Sequence, residues 1–310
     1  MLTILFAARP DSWGEYEAPL NRAIAAAGFT EFRVVTEAPP EEVDYIVYAP
    51  NSDLQDFSGF PRLKAILSLW AGVEKIIGNP TITVPLCRMV DTGLREGMRE
   101  WVTGHVLRYH LGMDAHITGA PGLWDPVAPP LARNRTVAIL GLGELGTACA
   151  ETILALGFNV TGWSRSPKSI PGVTCFHGED GLIDCLSSAE IVVLLLPDTP
   201  ATQNTLNART LAAMPHGAFV INPGRGPLID DEALLAALDS GQIAHATLDV
   251  FRVEPLPADH PYWHHPQVTV TPHIASETRP ETAAEVIAEN IRRSESSAPL
   301  LHLVDRSAGY

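Results

Sequence analysis

Thr136-Val-Ala-Ile-Leu140-Gly141-Leu-Gly143-Glu-Leu-Gly146-Thr-Ala-Cys-Ala-Glu-Thr-Ile-Leu-Ala-Leu156 is the stretch on which the fold turns. Its first five residues form a continuous apolar run, the pattern of a strand covered on both faces. Its last ten, Thr147–Leu156, are compatible with a helix. Between them stand three glycines in the spacing G-x-G-x-x-G. In a strand–turn–helix unit, the first glycine permits a sharp turn and the second admits backbone close to a pyrophosphate. The third lets the helix pack on the strand, with phosphate at the helix N-terminus. The spacing alone is a weak signal; the flanking strand and helix make it a dinucleotide site.

Outward from that unit, strand-like and helix-like segments alternate along the whole chain. Apolar runs at Phe158–Trp163, Ile191–Leu196, Ala218–Ile221, Ala244–Leu248 and Val268–Val270 continue one train. An earlier train has runs at Leu2–Phe6, Phe32–Val35, Tyr45–Tyr48, Ala65–Leu69 and Thr81–Leu86, with a helix over Tyr16–Ala27 ending at Gly28. The alternation predicts an α/β protein with two Rossmann-like domains, each a doubly wound, mostly parallel sheet, with a cleft between them. A helix over Leu94–Leu111 follows the first train, and the Pro/Gly-rich stretch Gly119–Pro130 reads as a surface connector. Thr278 and Glu281, in capping-box spacing, announce a last helix from about Arg279 to Arg293.

Composition sets the outer limits. A chain of 310 residues gives an expectation of two domains, and 46% hydrophobic with 18% charged residues is a globular composition. The 21 basic against 36 acidic residues give a formal charge of −15, which repels nucleic acid and anionic membrane surfaces at long range. A small anion remains admissible, since a few arginines in a cleft outweigh distant charges that salt screens over about 8 Å. No apolar stretch reaches the roughly 18 residues of a membrane span, and the opening MLTILFAARP has no leading basic residues or small-residue cleavage site. Cys87, Cys149, Cys175 and Cys185 form no C-x-x-C pair, so an unsecreted, cytoplasmic protein with reduced thiols is expected.

In a dinucleotide fold the tip of the strand after the glycine loop selects the cofactor: an acid there bonds the ribose 2′-hydroxyl, and a base accommodates a 2′-phosphate. Here Trp163 is followed by Ser164-Arg165-Ser166-Pro167-Lys168, with no acid. The reading is NADPH in preference to NADH, with NADH still possible. The alternative is a solvated loop in which Arg165 and Lys168 bind nothing.

Three polar motifs recur at strand ends of the second train: Asn222-Pro223-Gly224-Arg225-Gly226, Glu254-Pro255, and Thr271-Pro272-His273. Each alone reads equally as loop chemistry. Together they suit hydride transfer to a 2-oxo acid. A histidine titrating near neutrality supplies the proton that the developing alkoxide needs. A carboxylate on its other ring nitrogen, Glu254, fixes the tautomer and raises the pKa of His273. Arg225 offers paired donors to carboxylate and carbonyl oxygens.

At these residues the chain resembles the D-isomer-specific 2-hydroxyacid dehydrogenases, in particular the branch that reduces glyoxylate and hydroxypyruvate. The resemblance is carried by Leu69-Trp-Ala-Gly-Val73, Asp91-Thr-Gly93, Gly141 through Gly146, Trp163-Ser-Arg165, Leu195-Leu-Pro-Asp-Thr-Pro200, Asn222 through Gly226, Leu234 through Gly241, Leu248-Asp-Val-Phe251, Glu254 through Pro257, Thr271-Pro-His273, and the ending Val304-Asp-Arg with Gly309-Tyr310. It implies that Arg225, Glu254 and His273 are the catalytic set. The substrate would lie against Trp70, Ala71, Gly72, Val73 and Arg225, its carboxylate on the backbone amides of 71–73. It places Gly141, Leu142, Gly143, Glu144, Leu145, Gly146, Ser164, Arg165, Ser166, Lys168, Leu196, Pro197, Thr202, Pro223, Gly224 and His273 at the cofactor, with Asp249 meeting the nicotinamide carboxamide. It further implies a homodimer through the long helix. The substrate domain would be discontinuous, 1–92 plus 280–310, and the NAD(P) domain would span 93–279. Pro223-Gly224 and Trp70 depart from the common pattern. Trp70 either narrows the pocket towards glyoxylate-sized acids or packs against its own domain.

Other readings stay open on sequence alone. One is a sister dehydrogenase acting on formate or a larger 2-hydroxy acid, and another is a non-catalytic NAD(P)-sensing interaction protein. His260, His264 and His265 sit in a proline-bounded loop without helical register, and no metal is expected.

Overall fold

Among the described residues, every pairing between the strands of the computed structural model is parallel, the arrangement of sheets covered by helices on both faces. The structure describes residues 1–117, 119, 122, 124, 126–306 and 309. Part of the Gly119–Pro130 connector (120, 121, 123 and 125), and Tyr310 of the C-terminal motif, lie outside the described residues. The chain divides into two compact units, Met1–Leu94 with Glu277–Tyr310, and Arg95–Ser276.

The first unit contains β1 (Leu2–Ala7), α1 (Trp13–Ala26), β2 (Phe32–Val35), β3 (Tyr45–Tyr48), β4 (Ala65–Ser68) and β5 (Leu86–Cys87). Its sheet order is β2-β1-β3-β4-β5. Alternate residues serve opposite faces. Ile4, Phe6, Tyr45, Val47 and Leu67 join Leu20 and Ile24 of α1 on one face. Leu5, Ile46, Tyr48 and Ile66 join Phe57, Ile76 and Ile82 on the other.

The chain leaves the first unit within α2 (Thr92–His110), followed by a short α3 (Asp114–Ile117). The second unit then continues with β6 (Thr136–Leu140), α4 (Glu144–Ala155), β7 (Asn159–Ser164), β8 (Thr174–His177), α5 (Gly178–Ser187), β9 (Ile191–Leu194), α6 (Ala208–Ala212), β10 (Ala218–Asn222), α7 (Asp231–Asp239), β11 (Ile243–Leu248) and β12 (Val268–Val270). The order is β12-β11-β10-β9-β6-β7-β8. One face buries Leu140, Val192, Leu194, Val220 and Leu248 under Leu186, Leu234 and Leu238. The other buries Val137, Ile139, Ile191, Val193 and Ile221 under Met98, Val102 and Val106 of α2 and Cys149, Ala150 and Ile153 of α4. From β6 the sheet grows one way to β7 and the other way to β9. The carboxyl ends of β6 and β9 are therefore the switch point where such sheets bind ligands.

The last helix, α8 (Pro280–Glu295), returns to the first unit, where Ile287 and Ile291 enter the α1 core. Two expectations are corrected. Thr278 does not cap this helix: Arg279 is the N-cap, with no side-chain cap, and Thr278 Oγ1 donates to the Leu69 carbonyl at 2.7 Å. Pro280 starts the helix instead, its fixed φ suiting the first turn. The run Thr81–Leu86 is not a strand before Leu86. Pro80 and Pro85 bracket it, and the Thr81 side chain pairs with Asn79 Oδ1 at 2.7 Å and accepts from the Phe57 amide at 3.0 Å, which is turn chemistry. Strand β8, at the edge of its sheet, carries no apolar run, and its end residues Thr174 and His177 are exposed.

All four cysteines are free, and burial raises Cys87 and Cys185 to about 11 and Cys149 to about 12. Among the described residues, no helix is long and apolar enough to cross a membrane.

Candidate active site

The glycine loop lies at the switch point. Gly141 takes φ +107, and a Cβ there would stand 2.5 Å from the Leu195 carbonyl oxygen after β9. A Cβ at Gly146 would stand 1.7 Å from the Gly141 carbonyl oxygen, so α4 can approach the loop only with glycine at that position. Gly143 is different: nothing lies within 4 Å of a Cβ placed there, and it N-caps α4 without a side-chain hydrogen bond. Open space beside an uncapped helix N-terminus is what a pyrophosphate requires, and the loop fits a dinucleotide on that ground. Leu142 is buried, while Glu144 is exposed and Leu145 half-buried.

At the tip of β7, Ser164 is buried and its hydroxyl donates to the Ser166 carbonyl at 2.8 Å, closing a turn that leaves Arg165, Ser166 and Lys168 exposed. After β9, Leu196 is buried. The Thr202 hydroxyl donates to the Pro197 carbonyl at 2.6 Å and accepts from the Thr199 amide at 2.9 Å, so it locks its own loop.

Arg225, Glu254 and His273 all belong to the second unit, each beyond the end of a different strand, β10, β11 and β12. His273 Nδ1 and Glu254 Oε2 are 2.8 Å apart. Its hydrogen bond to Glu254 raises the pKa of His273, outweighing burial and the nearby Arg225 charge. Burial pushes Glu254 up, but its hydrogen bonds to His273 and the Phe251 amide, with the charges of His273 and Arg225, bring it below its ordinary value. The Arg225 guanidinium thus acts electrostatically on both. Two other histidines of this unit behave oppositely: burial pushes His105 and His245 down to about 4, keeping them neutral at physiological pH.

Supports hold each member of the set. Asn222, buried at the end of β10, accepts from the Gly224 amide at 3.1 Å and donates to the Arg225 carbonyl at 2.9 Å, knotting the Pro223-Gly224 turn. Gly226 then packs on the backbone of the Glu254 loop, since a Cβ there would stand 2.0 Å from the Phe251 carbonyl carbon. That loop is tied down in turn. Arg252 donates to the Asn204 side chain and the Ile229 carbonyl, and pairs with Asp231 at 3.3 Å. The buried Tyr262 hydroxyl also donates to Asp231, at 2.9 Å. His273 has φ 56, a strained conformation for a non-glycine residue. Asp249 holds it: Oδ1 accepts from Thr271 Oγ1 at 2.6 Å and the Ile274 amide at 2.9 Å, and Oδ2 accepts from the Ala275 amide at 2.9 Å. Its carbonyl accepts from the His273 amide at 2.9 Å. Sequence reading, which gave Asp249 a cofactor contact, did not disclose this use. Nor did it disclose Asn222, Asp231, Arg252 or Tyr262; only the Asn-Pro-Gly turn signal pointed towards one of them.

In the first unit, Trp70–Val73 follow β4. Trp70 is partly buried against its own core, with the Lys75 ammonium 5.7 Å from its ring centroid. Among the described residues the amides of Ala71, Gly72 and Val73 donate no hydrogen bond.

Known proteins match this chain along its length. The family described as D-isomer specific 2-hydroxyacid dehydrogenase, NAD binding domain, matches residues 119–275. A glyoxylate/hydroxypyruvate reductase A of Serratia proteamaculans is 41% identical over 305 residues, 96% of each chain. A D-isomer specific 2-hydroxyacid dehydrogenase of Xanthobacter autotrophicus, solved with NADPH and MES, is 41% identical with TM-score 0.90 over 99% of both chains. An NADPH-dependent glyoxylate/hydroxypyruvate reductase of Sinorhizobium meliloti, solved with NADP and sulfate, is 35% identical with TM-score 0.87 over 100% of this chain and 99% of that one. On this likeness, the chain belongs to the D-isomer specific 2-hydroxyacid dehydrogenases, NAD(P)-dependent oxidoreductases.

Proposed function

We propose that the protein reduces short 2-oxo acids, glyoxylate and hydroxypyruvate, to glycolate and D-glycerate with NADPH. The observation that carries this reading is the 2.8 Å contact between His273 Nδ1 and Glu254 Oε2 within the field of Arg225. With Nδ1 committed to the carboxylate, the proton to be transferred sits on Nε2. The raised pKa keeps that proton in place near neutral pH. A reduced nicotinamide, when bound, would supply the hydride for the carbonyl carbon. His273 Nε2 gives its proton to the carbonyl oxygen as charge develops there. Arg225 draws the same charge and orients the acid.

Gly143 and the N-terminus of α4 hold the pyrophosphate, and Arg165 with Lys168 select NADPH through its 2′-phosphate. The chemistry of the loop and the names of the relatives support that preference. Large apolar side chains exposed at Leu111, Met113, Ile117, Trp124, Val127 and Leu131 support a homodimer through α2 and the segment after it. Free cysteines support a cytoplasmic location.

A matrix of initial rates over NADPH and NADH and a panel of 2-oxo acids tests the reading. Fastest turnover is expected with NADPH and glyoxylate or hydroxypyruvate, and His273→Ala should lower kcat by about 10²–10⁴. Cofactor binding without turnover on any acid, or a His273→Ala loss below threefold, overturns it.

A further inference from the structure

The glycine loop opens onto a cavity of about 510 Å³ that the catalytic set does not use. Gly143 and the outer side of α4 form one wall, Lys168 and its neighbours after β7 a second, and Arg95 and Arg99 of α2 a third. Helix α2 reaches this place for a packing reason. Met98, Val102 and Val106 are buried among Cys149, Ala150 and Ile153 of α4, so the two helices share a core. Arg95 and Arg99, one helical turn apart, face the cavity from the flank of that contact.

Arg95, Arg99 and Lys168 are exposed, and among the described residues none makes a hydrogen bond or ion pair. Two carboxylates, Glu144 and Glu151, line the same space without pairing with them. Three cations against two anions leave a positive cavity in a chain whose formal charge is −15. Like charges gathered without partners are unfavourable, and a dianion between them reverses the sign. Guanidinium groups match the oxygens of a phosphate with paired donors.

We propose that Arg95 and Arg99, with Lys168, form a phosphate-monoester site on the flank of the glycine loop. The inference rests on the dinucleotide reading for its main occupant, the 2′-phosphate of NADP(H), because Lys168 ties the cavity to the tip of β7. Free phosphate carries the same chemistry and is the second source.

Calorimetric titration of the full chain with NADPH, NADH, 2′,5′-ADP and inorganic phosphate, for wild type, R95A/R99A and R95K/R99K, separates the cases. Charge-assisted bonds predict that R95A/R99A binds NADPH and 2′,5′-ADP about 10- to 100-fold more weakly and NADH within threefold of wild type, with R95K/R99K between the two. Loss of inorganic phosphate binding with NADPH affinity intact assigns the site to free phosphate and still supports it. Equal binding of all four ligands by wild type and R95A/R99A, within twofold, overturns it. Failure of the NADPH preference looks different: wild type itself then binds NADH as tightly as NADPH, while 2′,5′-ADP and phosphate still report on the cavity. Both arginines are exposed, so an unchanged Tm is expected to confirm that the variants fold.

Discussion

Asp249→Asn separates holding the catalytic histidine from touching the cofactor. Asp249 has no solvent exposure, and its two oxygens accept three donors, two at Oδ1 and one at Oδ2. An asparagine keeps its oxygen where two donors converge, so its NH₂ must face the amide of Ala275. That buried N–H loses its acceptor, at about 1–3 kcal/mol, and the other two bonds lose their charge assistance. His273 at φ 56 stores about 1–3 kcal/mol of backbone strain, a cost of the same size as the support removed. The loop then leaves its held conformation, and with 1.4 kcal/mol per factor of ten the expected fall in kcat is about 10- to 100-fold. The assays are steady-state glyoxylate reduction across pH, NADPH Kd by fluorescence titration, and thermal unfolding. The expected result is a large kcat loss, an altered pH profile and an NADPH Kd within threefold of wild type. A kcat within threefold refutes the holding role. A Kd weakened by the same factor as kcat makes Asp249 a cofactor ligand instead.

Glu254→Gln removes the carboxylate charge and with it the charge assistance of the hydrogen bond, both of which raise the pKa of His273. Reduction needs the protonated ring, so its rate is full below that pKa and falls as pH rises through it; the alkaline limb of kcat/KM should move to lower pH, and an unmoved limb would show that Glu254 does not set it. Gly226→Ala drives a Cβ against the Phe251 backbone and should cost about 1–3 kcal/mol or more, seen as a Tm lowered by several degrees together with a reduced kcat; wild-type values for both would mean that the two loops can part without consequence. Tyr262→Phe removes one hydrogen bond to Asp231, worth about 1 kcal/mol, and should lower kcat about two- to tenfold through the Glu254 loop. A lowered Tm with kcat unchanged would confine Tyr262 to stability.

What was legible in the sequence was local. The β6–loop–α4 unit declares itself because strand, glycine spacing and helix lie within Thr136–Ala155. The central strands declare themselves because both faces are covered, which leaves unbroken apolar runs. β8, Thr174-Cys-Phe-His177, shows no such run, with Thr174 and His177 exposed at the edge of the sheet. The run from Thr81 misleads in the converse way. It is apolar enough for a strand, and Ile82 is buried, but prolines at both ends and the Thr81–Asn79 pair commit the backbone to turns. Thr278 and Glu281 have capping-box spacing, yet Glu281 pairs with Arg22, 259 residues away, and Thr278 with Leu69, 209 residues away. Tertiary partners override a short-range pattern worth about 1 kcal/mol.

The same division between local and distant explains why the reacting groups could be read and their supports could not. Arg225, Glu254 and His273 are chemically conspicuous at strand ends. Their own attraction is too weak to assemble them: the His273–Glu254 pair is 50% and 36% exposed, and a pair so exposed contributes about 0–1 kcal/mol. Three bonds to the buried carboxylate of Asp249, each charge-assisted and worth about 1.5–3 kcal/mol, are large enough to hold a residue at positive φ; the exposed pair is not. Asn204, Asp231, Arg252 and Tyr262 tie down the Glu254 loop across separations of up to 48 residues, and Gly226 does it by having no side chain. None of these carries a pattern at short range, because a support is defined by its partner. The geometry of the exposed chemistry is therefore set by polar groups bonded across distant loops, Asp249 the most buried of them, and by one close backbone contact.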